Sequence, residues 1–194
     1  ACEPALGYED FDLVRRGALS DAEAWDAEFG AARDVSGLGV ERNVFRYRPA
    51  SVVVRLAEGG SLAELIRVIA AGVLARARVR VSSPVPLPAG LVRLVTATDL
   101  GGTPLLPITG VDVETDAVFA ARAAVNRPSR IRLVGGDHDA LAEAVGGSPD
   151  VAIWADPVTA AGRIELLPFL LEQAVSITAH RFGTPARALL DLPL

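Results

Sequence analysis

The chain has 194 residues, of which 51% are hydrophobic and 22% are charged, and its formal net charge is −5. These proportions are typical of one globular domain and exclude an intrinsically disordered chain, while the negative charge argues against broad binding to nucleic-acid phosphates. The apolar run at residues 68–75 is far shorter than the roughly 20 residues that cross a bilayer, and no secretory leader opens the chain. We therefore expect a cytoplasmic protein without a membrane span.

The first predicted elements are an irregular linker over residues 1–19 and a helix over residues 20–29. Ser20 and Glu23 are spaced as a capping box, in which each side chain satisfies a free amide of the first helical turn. The chain has no Met, not even at its first position, so we interpret it as a piece of a longer protein.

Strands and helices then alternate along the chain. Alternating or β-branched residues predict strands at 43–48, 51–56, 78–82, 91–96, 130–134 and 151–154. Apolar residues at helical spacing predict helices at 61–76, 116–125 and 137–145, the first of them capped by Ser61. Strands that alternate with helices of this length are typical of a doubly wound, mostly parallel α/β sheet of the Rossmann-like class.

The residue types that usually carry catalysis are few. The single cysteine, Cys2, excludes a disulfide framework and a cysteine-based zinc site, and it lies in the predicted linker. His138 and His180 have no second histidine nearby, so no metal site is predicted. Ser176 lies four residues before His180, but no G-x-S-x-G motif surrounds it. We expect no catalytic, cofactor-binding or metal-binding residue in this chain.

Two glycine turns follow predicted strands and could expose helix-start amides to an anion. Residues 59–61 and 135–137 form these turns, but neither has the G-x-G-x-x-G spacing of a dinucleotide site. We interpret them as ordinary turns with helix caps, and we keep a free-standing nucleotide-binding enzyme or sensor as the alternative function. Arginines alternate with apolar residues in three predicted strands, where pairing with acidic residues is the favoured interpretation.

The end of the chain is strongly apolar. Residues 163–171 place six large apolar side chains around Pro168, and the composition of residues 172–185 fits neither a clean amphipathic helix nor a clean strand. An apolar segment of this length must be buried. Two destinations remain open, since the segment could close this domain's own core or dock on another module.

Several segments of the chain resemble a known protein family. Residues 162–185 resemble the extreme C-terminus of long-form bacterial proline utilization A, a bifunctional proline dehydrogenase and L-glutamate-γ-semialdehyde dehydrogenase. Residues 39–49 resemble the segment that follows its aldehyde dehydrogenase module, and residues 130–136 and 149–155 resemble the intervening domain. The similarity extends over residues 20–185. The tail motif is its specific part, while the middle is generic α/β sequence.

The resemblance implies a non-catalytic, Rossmann-like domain of the aldehyde dehydrogenase superfamily. In that family the domain packs on the oligomerisation flap of the dehydrogenase module, and its tail works as a lid over the cavity through which the semialdehyde passes. The FAD and NAD sites of the family lie outside this chain. The implied partners are the aldehyde dehydrogenase and proline dehydrogenase modules of the same polypeptide, and self-association through the tail is a further expectation. An interaction domain of some other aldehyde dehydrogenase relative is a third hypothesis.

The implied organisation has three parts: a linker at residues 1–19, a Rossmann-like domain at 20–162, and a lid motif with its tail at 163–194. Within the lid, the polar contacts and apolar anchors to the other modules are expected at Arg163, Glu165, Leu166, Leu167, Pro168, Phe169, Glu172, Gln173, Ser176, Ile177, His180, Arg181 and Phe182.

Overall fold

Helices and strands alternate through most of the fold. The computed structural model describes residues 6–38, 40–179, 188 and 191–192. Its strands are β1 (Arg33–Asp34), β2 (Glu41–Pro49), β3 (Ser51–Leu56), β4 (Arg78–Ser83), β5 (Ile108–Val113), β6 (Arg130–Val134), β7 (Ala152–Trp154) and β8 (Leu170–Thr178). Its α-helices are α1 (Tyr8–Ala24), α2 (Leu62–Leu74), α3 (Ala89–Val95), α4 (Asp116–Asn126), α5 (His138–Ala144) and α6 (Gly162–Glu165). Trp25–Phe29 forms a π-helical segment and Leu167–Phe169 a 3-10 turn.

The larger sheet has five strands in the order β5-β4-β3-β6-β7, and each neighbouring pair is parallel. The chain moves from β3 outward to β5 and then returns to the other side of β3 with β6, so the sheet is doubly wound. The predicted Rossmann-like α/β class is confirmed. The helix after β3 begins as predicted, because the Ser61 hydroxyl accepts a hydrogen bond from the Glu64 amide at 3.4 Å.

Helices cover both faces of this sheet. Successive strand residues point to opposite faces, and Val52 and Val54 of β3 therefore join the core that contains Leu65 and Val68 of α2. On the other face a second core joins β6 to α4 and α5, with Ile131, Leu133, Phe119 and Leu141 among its buried residues. The apolar run at residues 52–54 of the central strand β3 follows from this two-sided burial.

A second, antiparallel sheet has the order β1-β2-β8. Its main part is the pair β2–β8, which runs without interruption from Glu41 opposite Thr178 to Pro49 opposite Leu170. We call this pair the ribbon. The prediction of a strand at residues 43–48 is confirmed, and the apolar end of the chain supplies its partner strand.

The helix predicted at residues 20–29 is confirmed as helical, but the irregular linker and the Ser20 cap predicted before it are wrong. Residues 8–19 are helical, and Ser20 lies inside α1, so it cannot cap a helix with Glu23. Its hydroxyl instead accepts a hydrogen bond from the Gly162 amide at 3.0 Å. Gly17 is needed inside the helix because a Cβ there would collide with the Arg67 side chain.

The middle of the chain holds two further differences. The strand predicted at residues 91–96 is helix α3, whose Leu91 and Val95 lie four residues apart and are both buried. A short apolar run does not distinguish a strand from one side of a helix. Strand β5 was not predicted, because Gly110 and Asp112 interrupt its apolar pattern at the edge of the sheet.

Candidate functional site

The first half of the C-terminal motif closes this chain's own core. Leu166 and Phe169 are completely buried, and Pro168 is buried beside them. The Phe169 ring lies so close to α2 that a Cβ on Gly72 would be 2.9 Å from its Cε1 atom. These side chains therefore hold the motif to the domain and are not exposed for contact with another module.

Glu165 is also turned inward. Its carboxylate is buried and pairs with Arg132 of β6, with 2.7 Å between Oε1 and the arginine Nε, while Oε2 accepts from the Thr159 amide at 3.1 Å. Arg132 donates further hydrogen bonds to the carbonyl oxygens of Trp154 and Asp156. A buried charge needs such a complete set of partners, so this pair fixes the start of the motif on the parallel sheet.

The second half of the motif is strand β8 of the ribbon. Gln173 accepts a hydrogen bond from Arg46 Nε at 2.7 Å, and the Ser176 hydroxyl donates to Glu41 at 2.9 Å. Gln173 and Ile177 are half-buried, whereas Glu172 and Ser176 are exposed. Arg163, which precedes the strand, is exposed and pairs with Glu28. His180, Arg181 and Phe182 lie outside the described residues.

The hydrogen-bond register gives β8 two different edges. The Ala179 amide donates to the Val40 carbonyl and the Ala50 amide donates to the Phe169 carbonyl, so the odd-numbered residues of β8 direct their backbone groups toward β2. Glu172, Ala174 and Ser176 then direct theirs to the opposite edge. Within the described part of the chain, no strand pairs with that edge.

Strand β8 has few of the features that prevent an edge strand from pairing with another chain. Natural edge strands are usually short or carry charges, proline or bulges, which prevent pairing with another chain. Strand β8 has nine residues in a continuous register, contains no proline, and has Glu172 as its charged residue. An edge of this kind is suited to accept a further strand through main-chain hydrogen bonds.

A groove with a volume of about 380 Å³ lies where the start of β8 meets the end of β7. Its lining includes Tyr47, Arg130, Trp154, Leu167, Leu171 and Glu172. Arg130 donates to the Pro168 carbonyl at 3.0 Å, and burial lowers the pKa of its guanidinium. Burial likewise raises the pKa of the Tyr47 hydroxyl. The sequence did not indicate Tyr47, Arg130, Trp154 or Leu171 as site residues, because no local pattern shows that β7 approaches the tail.

The two glycine turns meet at the carboxyl ends of β3 and β6, where a doubly wound sheet usually binds its ligand. They are close enough that a Cβ on Gly135 would lie 3.3 Å from the Gly60 Cα atom. The Ser61 hydroxyl accepts from a first-turn amide of α2, and the Asp137 carboxylate accepts from the Asp139 and Ala140 amides. Side chains of this chain thus occupy the amides that an anion would need, which weighs against a phosphate site here.

Several of the strand arginines have partners within the domain. Arg80 forms a two-pronged pair with Asp112, with both distances at 2.6 Å, and Arg132 pairs with Glu165 as described above. Arg80 and Arg132 thus bind acidic residues as interpreted, whereas Arg46 donates to Gln173 and Arg130 to the Pro168 carbonyl. In the part of the chain that the structure describes, no cluster of three His, Cys, Asp or Glu side chains could hold a metal ion. Across the same residues, no helix combines the length and apolar character needed to cross a membrane.

The comparisons with known proteins rest on structure. No protein-family model and no curated protein sequence matches the chain. Proline utilization A (PutA) from Corynebacterium freiburgense is similar over 86% of this chain and 13% of its own length, with 28% sequence identity and a TM-score of 0.52. The chain therefore spans about an eighth of that protein's length.

A betaine aldehyde dehydrogenase from Staphylococcus aureus, solved as a point mutant in complex with NAD+, is similar over 75% of this chain and 30% of its own length. The two chains are 14% identical and superpose with a TM-score of 0.53, so this likeness concerns the fold alone. Taken with the similarity to proline utilization A, it supports a fold like that of the aldehyde dehydrogenase superfamily.

Proposed function

We propose that the chain is a non-catalytic C-terminal domain of a cytoplasmic, bifunctional enzyme that converts proline to glutamate. The observation that carries this proposal is the similarity to proline utilization A, with 28% identity over 86% of the chain. In this role the domain itself binds neither FAD nor NAD, and both cofactors belong to the other modules of the polypeptide. Side-chain caps at both glycine turns are consistent with a domain that holds no nucleotide.

The domain would pack on the aldehyde dehydrogenase module and seal the cavity through which the semialdehyde passes. A lid of this kind excludes water and prevents the loss of a reactive intermediate between two active sites. The boundary at residue 162 belongs to this proposal, with residues 163–194 as the lid motif and its tail, whereas residues 8–19 are part of helix α1 and belong to the domain.

Some residues of the motif are buried in the domain and others are exposed, and this difference supports a contact surface on β8. Glu165, Leu166 and Phe169 are buried and anchor the motif to its own domain. The side chains available to another module are then Leu167, Leu171, Glu172 and those on the exposed face of the ribbon. An anchored base with an exposed edge is the arrangement that a docking lid requires.

A complementation experiment tests the proposed function. The bifunctional enzyme would be truncated before residue 1 of this chain, and NADH production from proline would be followed with and without the separate chain. Restored turnover with a short lag is the expected result. If truncation does not lengthen the lag and the separate chain does not bind, the domain has no role in channelling. Calorimetric titration of the chain with NAD would then test the nucleotide-binding alternative, which requires heat at micromolar ligand.

A further inference from the structure

We propose that a pocket at the amino ends of β3, β4 and β6 binds a small aliphatic monocarboxylate, whose head group pairs with Arg78 and whose carbon chain lies on Val53. The pocket has a volume of about 280 Å³ and lies at the end of the parallel sheet opposite the two glycine turns. It belongs to this chain alone, so the inference does not depend on the proposed function. Its lining includes Ser51, Val53, Arg78, Arg80, Thr109 and Ser129.

The pocket lies on the face of the parallel sheet that also carries α4. Arg55 of β3 lies over the Phe119 ring of α4, with 5.0 Å between its Cζ atom and the ring centroid. Because alternate residues of a strand share a face, Ser51 and Val53 point to the same side, and the register places Arg78 beside Ser51. Both Ser51 and Arg78 are exposed. The amino end of the sheet is therefore open to solvent on this face.

The end of α4 forms one wall of the pocket. Arg127 follows the helix in the left-handed conformation, with φ 43° and ψ 62°, and its amide donates to the Ala123 carbonyl at 2.8 Å. This conformation is usual for glycine and uncommon for other residues. The turn that it makes brings Pro128 and Ser129 to the pocket beside Ser51. Neither serine hydroxyl has a hydrogen-bond partner among the described residues, so both can donate to a ligand.

Two arginines supply charged donors to the same pocket. No hydrogen bond or ion pair joins the Arg78 guanidinium to another described residue. Arg80 uses Nε and Nη2 to bind Asp112, which leaves its Nη1 atom without a partner among the described residues. Gly110 keeps this nitrogen uncovered, because a Cβ there would lie 3.1 Å from it. None of the described residues that line the pocket is acidic, so its free hydrogen-bonding groups suit an oxyanion.

The charge balance of the pocket favours a carboxylate over a phosphate. Asp112 neutralises Arg80, so Arg78 leaves the pocket with a single net positive charge. A carboxylate matches that charge, and its two oxygens fit the planar guanidinium fork. A phosphate monoester carries a charge of about −1.5 to −2 at pH 7. Its excess negative charge would be repelled by Asp112.

The apolar surface beside the charged groups indicates a short carbon chain on the ligand. Val53 is half-buried on the floor of the pocket. A second pocket, with a volume of about 340 Å³, shares Val53, Arg80 and Pro128 with the first and continues to Phe119 and Ala123. A chain of a few carbons on Val53 would remove apolar surface of both molecules from water. These features together specify a short-chain aliphatic carboxylate.

Nuclear magnetic resonance titration of the full 194-residue chain with butyrate tests the inference. The amide signals of Ser51, Arg78 and Ser129 should shift and saturate, with a Kd on the order of 1 mM for so small a ligand. Butyramide has the same shape without the charge and should bind about tenfold more weakly. Inorganic phosphate should also bind more weakly than butyrate. The absence of saturating shifts with butyrate would overturn the inference, as would equal binding of butyramide or tighter binding of phosphate.

Matched arginine variants distinguish the pocket from a general effect of charge. Arg78→Gln should weaken butyrate binding about tenfold, and Arg78→Lys should weaken it less, because lysine keeps the charge and loses the planar fork. Arg93 is the control, since it is exposed on α3, which packs on the other face of the sheet with α2. Arg93→Gln makes the same change of net charge and should leave butyrate binding unchanged. Equal losses in Arg78→Gln and Arg93→Gln would overturn the inference.

A hydroxyl variant and a stability measurement complete the experiment. Ser129→Ala removes one neutral donor and should weaken butyrate binding about threefold. Ser129 and Arg78 are exposed, so their variants should melt at the same temperature as the unchanged chain. Unchanged affinity for butyrate in both Arg78→Gln and Ser129→Ala would overturn the inference. Because butyrate binding is measured on this chain alone, its result is independent of the lag in coupled turnover that tests the proposed function.

Discussion

Asp21 and Arg67 form a two-pronged ion pair that is sealed from solvent between α1 and α2. Each carboxylate oxygen lies 2.7 Å from one guanidinium nitrogen, and both side chains are completely or almost completely buried. Arg67 Nε also donates to the Thr159 carbonyl, while the Thr159 amide donates to Glu165. One peptide segment thus connects the two buried ion pairs and joins the first helix of the chain to the C-terminal motif.

Removal of Asp21 should be strongly destabilising. Asp21→Ala leaves the Arg67 guanidinium buried without its carboxylate, and breaking a buried pair in this way costs about 3–5 kcal/mol. Urea denaturation followed by circular dichroism measures the change. Asp12 is the matched control, because it pairs with Arg15 and Arg16 on the exposed part of the same helix. Asp12→Ala should leave the unfolding midpoint unchanged, and equal losses in both variants would contradict the assigned role of burial.

Gly17 should not tolerate a methyl group. Alanine is favoured over glycine inside a helix by about 1 kcal/mol, so propensity alone predicts that Gly17→Ala stabilises the chain. The structure predicts the opposite sign, because the new Cβ would collide with the Arg67 guanidinium and displace it from Asp21. Gly7→Ala is the control, since a Cβ there meets no atom within 4 Å. A higher melting temperature for Gly17→Ala would show that α1 packs differently from this description.

Glu114 should make stability fall at acid pH. A hydrogen bond from Arg122, with Nε 3.0 Å from Oε2, lowers the pKa of Glu114 below its ordinary value of 4.5, and Ser82 acts in the same direction. A carboxyl group with a lowered pKa in the folded state stabilises it fully above the unfolded pKa. This contribution is lost as the pH falls below 4.5 through the folded-state pKa.

Glu114→Gln provides the measurement for that prediction. The free energy of unfolding of the variant should depend less on pH in the acid range than that of the unchanged chain. Denaturant titrations at a series of pH values compare the two. Parallel curves would mean that Glu114 does not contribute to the acid dependence.

Substitutions at Phe169 and Leu167 should distinguish an effect on folding stability from an effect on docking. Phe169→Ala removes a completely buried ring and should cost about 3–5 kcal/mol of folding free energy, so any loss of coupled turnover would follow from unfolding. Leu167→Ala changes a side chain that is 37% exposed, and the domain should stay folded. Thermal denaturation of both variants, beside the lag of coupled turnover, measures the two effects. A folded Phe169→Ala domain with a lengthened lag would contradict this division.

The parallel sheet could be predicted because its determinants are local. Strand β3 contains an apolar β-branched run and β6 alternates arginine with apolar residues, while Ser61 and Asp137 mark the starts of the helices that follow. Helix α1 could not be predicted in the same way. Glycine normally weakens a helix. Gly17 is required here because a Cβ would collide with the Arg67 side chain, which belongs to a helix far along the chain.

The candidate site was harder still to predict from the sequence, because the residues that form it are far apart along the chain. The apolar end of the chain predicted burial, but Leu166 and Phe169 enter a core formed mainly by α2 and the parallel strands, whereas β8 pairs with β2. Ser176 and Glu41, which join the two strands of the ribbon, are 135 positions apart. Local periodicity cannot identify a strand whose partner is so remote, and for the same reason the groove with Trp154 was not foreseen.

The remote pairing of β2 and β8 also imposes an order on the assembly of the nascent chain. Ribosomes add about 5–20 residues each second, so a separation of 135 positions corresponds to a wait on the order of ten seconds between the two strands. During that interval β1, of two residues, is the one strand beside β2 among the described residues, while the five strands of the parallel sheet are synthesised. The ribbon, and with it the surface proposed for docking, is therefore completed last, after the parallel sheet has provided the platform on which Leu166 and Phe169 settle.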